Sequence, residues 1–164
     1  MASSRSITPL VITLLATACT TQKPVTLGVV DGKLALCPSA PHCVSSQLDS
    51  GMHAGKPIPY DGSRKEARTK LSSILRTMPG AVVLTESSDY VRAEFTSKTF
   101  KWVDDVEIYL DDRAKLAQIR SFSRTGFYDL GANRRRIEEI RKRFLSETTE
   151  PADRRAPQQA KKVD

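Results

Sequence analysis

Between residues 81 and 123 the chain alternates apolar and polar residues with a period of two, and this limits the fold more than any other feature. "AVVLTE" (81–86) is short and apolar. In "YVRAEF" (90–95) Val91, Ala93 and Phe95 alternate with Tyr90, Arg92 and Glu94. In "WVDDVEIYL" (102–110) Val106, Ile108 and Leu110 alternate with Asp105, Glu107 and Tyr109, and in "KLAQIRSFS" (115–123) Ala117 and Ile119 alternate with Gln118 and Arg120. Successive strand residues point to opposite faces, so this spacing predicts an antiparallel sheet with one packed face and one wet face. "DDRA" (111–114) is the turn between the last two strands. Helical patterns flank the sheet. Ser63 and Glu66 form a capping box before the stripe Ala67, Leu71, Ile74, Leu75 and Met78, and Pro79 and Gly80 end that helix. A second helix, about 131 to 147, buries Asn133, Ile137, Ile140 and Phe144. The expected fold is α+β: an antiparallel sheet of about four strands with two helices packed on one face.

The strand patterns also suggest a register. If Leu110 pairs with Lys115, Val106 faces Ile119, Asp104 faces Ser121, and Asp105 faces Arg120 on the wet side. A similar pairing of the preceding hairpin brings Arg92 to the other side of Asp105. The resulting Arg92–Asp105–Arg120 row reads as a solvated salt ladder, at roughly 0.2–1 kcal/mol per pair, or else as the wall of a cleft. Asp104, Ser121 and Ser123 share the inward parity of Val106 and Ile119, at the sheet end from which the chain leaves for the second helix. A buried carboxylate there requires donors; Ser121, Ser123 and Arg124 are the nearest.

The chain's ends suggest an address. "MASSRSITPLVITLLATAC" has one Arg, an apolar stretch from Ile7 to Ala18, and then Cys19. It is too short to be a spanning helix and reads as a secretory signal over 1–18. Ala16, Thr17 and Ala18 before Cys19 resemble a bacterial lipobox, which implies cleavage before Cys19 and lipidation of its thiol. Thr20 is not the Asp of the usual inner-membrane retention signal, so a lipid-anchored place at the periplasmic face, outer membrane favoured, is expected. Residues 19–33 read as a tether, 34–147 as a single α+β domain and 148–164 as a disordered tail. The formal net charge of +7 favours acidic partners, but an envelope address argues against nucleic acid. Cys37 and Cys43, in "CPSAPHC", suit a disulfide in an oxidising compartment. The rival is a metal site with His42, for which only His53 remains as a further His. Ser45 and Ser46 lack the context of a nucleophile. No cofactor motif and no complete metal-ligand set is present.

"CPSAPHCVSSQ", "YVRAEFTS", "VDDVEIYLD" and "IRSFSRTGFYDLGANRRRIEEIR" together resemble the motif blocks of domain-of-unknown-function family 1499, in order, over roughly residues 34 to 145. His42 stands where the family usually has Asn. The resemblance implies an uncharacterised α+β domain, often of bacterial envelope or plastid proteins, and brings no substrate or reaction.

Arg134, Arg135 and Arg136 open the second helix, where the macrodipole disfavours positive charge by roughly 0.3–1 kcal/mol. Arg134–Glu138, Arg135–Glu139, Glu138–Lys142 and Glu139–Arg143 are all four apart, and these intrahelical glutamates offset part of this. With Arg124 and the free amides of the helix start, the arginines would make an anion pocket. Either Asp104 or Asp129 fills it from within, which is favoured, or a phosphate, carboxylate or lipid headgroup fills it from outside. The candidate ligand-binding residues are therefore Asp104, Arg120, Ser121, Ser123, Arg124, Asp129, Asn133 and Arg134. The leading expectation is an envelope lipoprotein that binds a small anionic or amphiphilic ligand. A hydrolase using Asp104 or Asp105 beside Arg120 or Arg124 is the enzymatic alternative, and a protein-interaction module on the wet face is the third.

Overall fold

A computed structural model of the chain describes residues 26–146. The expected signal, Cys19 and the tail lie outside the described residues. Ten elements follow in order: β1 (Val29–Val30), β2 (Lys33–Leu34), β3 (Cys43–Ser45), β4 (Ile58–Pro59), α1 (Arg64–Thr77), β5 (Ala81–Glu86), β6 (Tyr90–Thr96), β7 (Val103–Asp111), β8 (Leu116–Ser123) and α2 (Ala132–Ser146). The architecture is α+β. β5 to β8 form the expected antiparallel meander, but the sheet has six strands rather than about four, in the order β3-β8-β7-β6-β5, with β4 also on β8. The two extra strands, β3 and β4, come from the stretch before α1, which shows no strand periodicity in the sequence. They are only three and two residues long, too short to show alternation.

Both helices form where the stripes place them. Ser63 caps α1 through its hydroxyl, which accepts from the Glu66 amide, while Glu66 accepts from the Ser63 amide. α1 buries Ala67, Leu71, Ile74 and Leu75, and α2 buries Asn133, Ile137, Ile140 and Phe144. These pack on Val91, Ala93, Phe95, Val106, Ile108, Leu110, Ala117 and Ile119 of one sheet face. Each such large apolar side chain contributes about 1.5–3 kcal/mol of burial. Between α1 and β5 the chain passes so close to β6 that a Cβ on Gly80, which has a positive φ of 76°, would lie 2.4 Å from the Thr96 carbonyl oxygen. Only glycine fits that crossing.

The register of β7 on β8 differs from the expected one by two residues. Leu110 pairs with Ala117, Val106 with Ser121, Asp104 with Ser123 and Glu107 with Arg120. The cause is the turn. Asp111 Oδ1 accepts from the amides of Arg113 and Ala114, and Lys115 takes a left-handed backbone with φ of 55°, so the ladder restarts at Leu116. A shift of two preserves which residues share a face.

The second face is not wet. Arg92, Asp105, Glu107 and Arg120 are all buried. The cover is the β1–β2 hairpin and the segment that precedes it: the Gly28 amide donates to Glu107 Oε1, and Arg120 Nη1 donates to the Thr26 carbonyl. Residues 26–33, expected as tether, thus pack against the sheet. Gln47 ties this cover in place by accepting from the Leu34 amide and donating to the Gly32 carbonyl.

Cys37 and Cys43 are joined in a disulfide, with Cα atoms 5.6 Å apart. It closes a short loop, so its loss should cost about 2 kcal/mol. Urea denaturation of the double variant Cys37→Ser/Cys43→Ser is expected to show that drop, and to be insensitive to a reductant that destabilises the unaltered chain equally.

Candidate functional site

Two polar systems meet at the end of the sheet where β7 begins and β8 ends, one on each face. On the face covered by the hairpin, three guanidinium groups meet three carboxylates. Arg92 Nε and Nη2 donate to Asp105 Oδ1 at 3.0 and 2.8 Å, and Arg124 Nε donates to Asp105 Oδ2 at 2.7 Å. Arg124 and Arg92 also reach Glu94. Arg120 Nη1 donates to Glu107 Oε2 at 2.8 Å, and its guanidinium lies 4.0 Å over the Phe122 ring. Tyr90 donates to Glu107 Oε1 at 2.7 Å. Burial, with the Glu107 carboxylate beside it, pushes the Tyr90 hydroxyl far above its ordinary value, so it stays a donor. Hydrogen bonding to Asp105 and then Glu94 outweighs burial and raises Arg124.

The expected Arg92–Asp105–Arg120 row is therefore replaced. Arg124 completes the Arg92–Asp105 pair, and Arg120 belongs to Glu107 two residues along. Arg124 follows Ser123 in the strand direction and takes the opposite face, so it does not serve Asp104.

On the helix-packed face Asn133 is the hub. It is wholly buried and makes five side-chain hydrogen bonds. Its Nδ2 donates to the His42 carbonyl, Ser123 Oγ and Asp129 Oδ2 at 2.9, 3.1 and 2.8 Å. Its Oδ1 accepts from Ser121 Oγ and Arg136 Nη1, each at 2.6 Å. Arg136 Nη2 donates to Asp104 Oδ2 at 2.7 Å, and its guanidinium lies 4.6 Å over Phe95. Asp129 takes the helix start: its Oδ2 accepts from the Asn133 amide at 2.9 Å and its Oδ1 from the Gly131 amide at 2.8 Å. Burial pushes the Asp129 carboxyl up, but these amides and the Asn133 side chain outweigh it and hold it below its ordinary range.

The three arginines are thus filled from within. Arg136 has Asp104, Arg135 donates to the Leu130 carbonyl, and Arg134 donates to the carbonyls of Met52 and Ala54. Of the expected helix pairs, Glu139–Arg143 forms, at 2.7 Å; the first-turn arginines turn to carbonyls instead of to Glu138 and Glu139.

Beside this hub lies an open cleft of about 400 Å³. Its polar floor includes Asp104, Ser123, Asp129 and Arg136, and its walls are Phe100 and Trp102 of the β6–β7 loop and Tyr128 of the β8–α2 loop. Lys98 and Ala132 complete the rim. Of the residues singled out from sequence, Asp104, Ser123 and Asp129 reach this cleft. Ser121 and Asn133 lie buried beneath it, Arg134 points to the 52–54 loop, and Arg120 and Arg124 belong to the other face. Sequence reasoning placed Arg136 in the arginine-rich helix start without listing it as a ligand-binding residue, and missed Phe100, Trp102 and Tyr128. A signal was present for the aromatics, since "TSKTFKWV" puts two large rings where a hairpin turn is usually polar.

Asp105 is a poor general base here, because both of its oxygens are engaged by Arg92 and Arg124. Among the described residues no group of three His, Cys, Asp or Glu side chains gathers to hold a metal. Among the same residues no helix is long and apolar enough to cross a membrane.

Fold and site together define a small α+β domain with a buried ionic layer on one sheet face and a helix-start polar hub on the other. The chain belongs to a family described as a protein of unknown function, DUF1499, whose model matches residues 33–144. That span runs from β2 to near the end of α2 and includes the hub. No curated protein and no solved structure matches the chain.

Proposed function

We propose that this domain binds a small amphiphile, its anionic end toward Lys98 and Arg136 and its apolar body between Phe100, Trp102 and Tyr128. The observation that carries this reading is the cleft itself: aromatic walls over a polar floor, with a lysine at the rim that has no ion-pair partner among the described residues. Small-molecule sites have this composition, an apolar lining with a few placed polar groups. The proposal includes the address. The leader over 1–18 and the lipobox-like residues before Cys19 support a lipid-anchored envelope protein, which would meet amphiphiles at the membrane.

Trp102 is the sole tryptophan, so its fluorescence reports on the cleft wall. Titration with decanoate or octyl phosphate, kept below the concentrations at which they self-associate, is expected to give a saturable change. Ala132→Leu places a larger side chain at the rim and should weaken binding at least tenfold with the melting temperature unchanged. A flat titration with both probes, or an equal response in Ala132→Leu, would overturn the reading.

A further inference from the structure

The end of the sheet that carries the cleft also carries an unusual surface. Phe100, Trp102, Phe127, Tyr128 and Leu130 are 67%, 53%, 67%, 66% and 81% exposed. They sit on two loops, 97–102 and 124–131. Large apolar side chains scattered singly need no explanation, but five on two neighbouring loops do. The first loop is held in shape. Ser97 and Trp102 close it with two hydrogen bonds, the Ser97 amide to the Trp102 carbonyl and the Trp102 amide to Ser97 Oγ. Phe100 and Trp102 stack with ring centres 4.7 Å apart. Tilted beside each other, Phe127 and Tyr128 form a second ring pair.

Lys98 and Lys101 alternate with these rings, exposed and without an acidic partner among the described residues. The acids nearest in the chain and cleft do not neutralise them, since Asp104 is paired with Arg136 and Asp129 with the amides of α2. The cores of protein–protein interfaces are depleted in lysine. Aromatic rings with interspersed lysines instead match a bilayer surface, where the rings occupy the headgroup level and lysines meet anionic lipid.

The path of the chain agrees. Thr26, the first described residue, lines a hollow with Phe122, Ser123 and Arg124, the last residues of β8 and the one after them. The chain therefore enters the domain near the sheet end that bears the aromatic loops. From Cys19 to Thr26 an extended chain spans at most about 25 Å, so a lipid at Cys19 would keep this end within reach of the bilayer.

We propose that the loops 97–102 and 124–131 dock into the surface of an anionic lipid bilayer. Trp102 and Phe100 enter the interface, and Lys98 and Lys101 contact the headgroups. The cleft opens between the same loops, so docking would place its mouth at the source of an amphiphile. The docking itself stands on the loop surface and does not require the cleft to be filled.

The full chain, mixed with vesicles of phosphatidylethanolamine and phosphatidylglycerol bearing brominated acyl chains, provides the test. Because Trp102 is the sole tryptophan, its emission reports on this loop wherever else the chain is held. We expect a blue shift, quenching by the brominated chains and protection from acrylamide. Lys98→Gln/Lys101→Gln should lower the docked-to-undocked ratio about 30-fold, the loss of two surface charges, with an unchanged melting temperature. Ala132→Leu should dock normally, so a failed cleft and a failed docking surface give different results. Acrylamide access equal to that in lipid-free solution, on chains that float with the vesicles, would overturn the proposal. So would quenching unaffected by the lysine substitutions, or a concentration-dependent blue shift without lipid, which would show copies of the chain meeting through this tip.

Discussion

Replacing Asp105 by asparagine is expected to destabilise the domain by about 3–5 kcal/mol, a fall of roughly 10–20 °C in melting temperature. Asp105 is wholly buried and holds Arg92 from one side and Arg124 from the other. The amide that replaces one oxygen would present N–H groups to a guanidinium that itself only donates. The two arginines would keep one neutral carbonyl oxygen and, as their only carboxylate, Glu94, which is partly exposed. Loss of one member of a buried ionic set leaves the others charged and desolvated, which costs far more than the set as a whole contributes. The companion experiment should largely spare the fold. Arg92→Met/Asp105→Leu/Arg124→Met removes the charges together, and thermal denaturation should show it close to the unaltered chain and well above Asp105→Asn. Equal melting temperatures for Asp105→Asn and the unaltered chain would contradict the buried triad.

Asn133→Ala is the second large effect, also about 3–5 kcal/mol. The substitution removes five hydrogen bonds at once; the Ser121 hydroxyl loses its acceptor in the interior, and the His42 carbonyl keeps only the Ser123 amide. It also loosens Arg136 from the strand exit. Asn133→Asp tests the electrostatics at nearly constant shape. It exchanges three donated hydrogen bonds for a carboxylate facing Asp129 Oδ2, which lies 2.8 Å from Nδ2. That variant should be as weak as Asn133→Ala near neutral pH and should recover part of the loss toward pH 5, as the introduced carboxyl takes a proton. In the unaltered chain, the control, Asp129 does not titrate in this window. Its carboxyl is depressed in the folded state. Its contribution is therefore complete above the unfolded value of about 3.9, and is lost only as pH falls through the lower folded value. Urea midpoints between pH 8 and pH 5 distinguish the cases. A pH-independent loss in Asn133→Asp would argue against carboxylate repulsion at the hub.

Much of the frame was legible in the sequence because it follows from local rules. The capping box at Ser63 and Glu66, the α2 stripe through Asn133 and Phe144, and the alternation along β6 to β8 all appear as read. What the sequence hid was what covers what. Arg92, Asp105, Glu107 and Arg120 look like a solvated row because charged residues are seldom buried. Here they are buried by a hairpin whose strands are two residues long and leave no periodic trace. The register error came from one residue, Lys115, whose left-handed backbone extends the turn although lysine does not advertise it. Of the candidate site, the inward parity of Asp104, Ser121 and Ser123 was readable, and so was an acid docked on the arginine-rich helix start, but not that Arg136 in particular takes Asp104. Arg124 is nearer in sequence, and Arg136 arrives only once α2 has packed.

The sheet has an apolar layer against its helices and an ionic layer under its hairpin, and these respond to temperature differently. Exposing apolar surface raises the heat capacity of unfolding, whereas exposing polar surface lowers it. The ionic layer therefore flattens the stability curve relative to a domain of equal size with two greasy faces. Its desolvation cost also shrinks on warming. A fold arranged this way loses little strength in the cold and gives it up gradually in the heat.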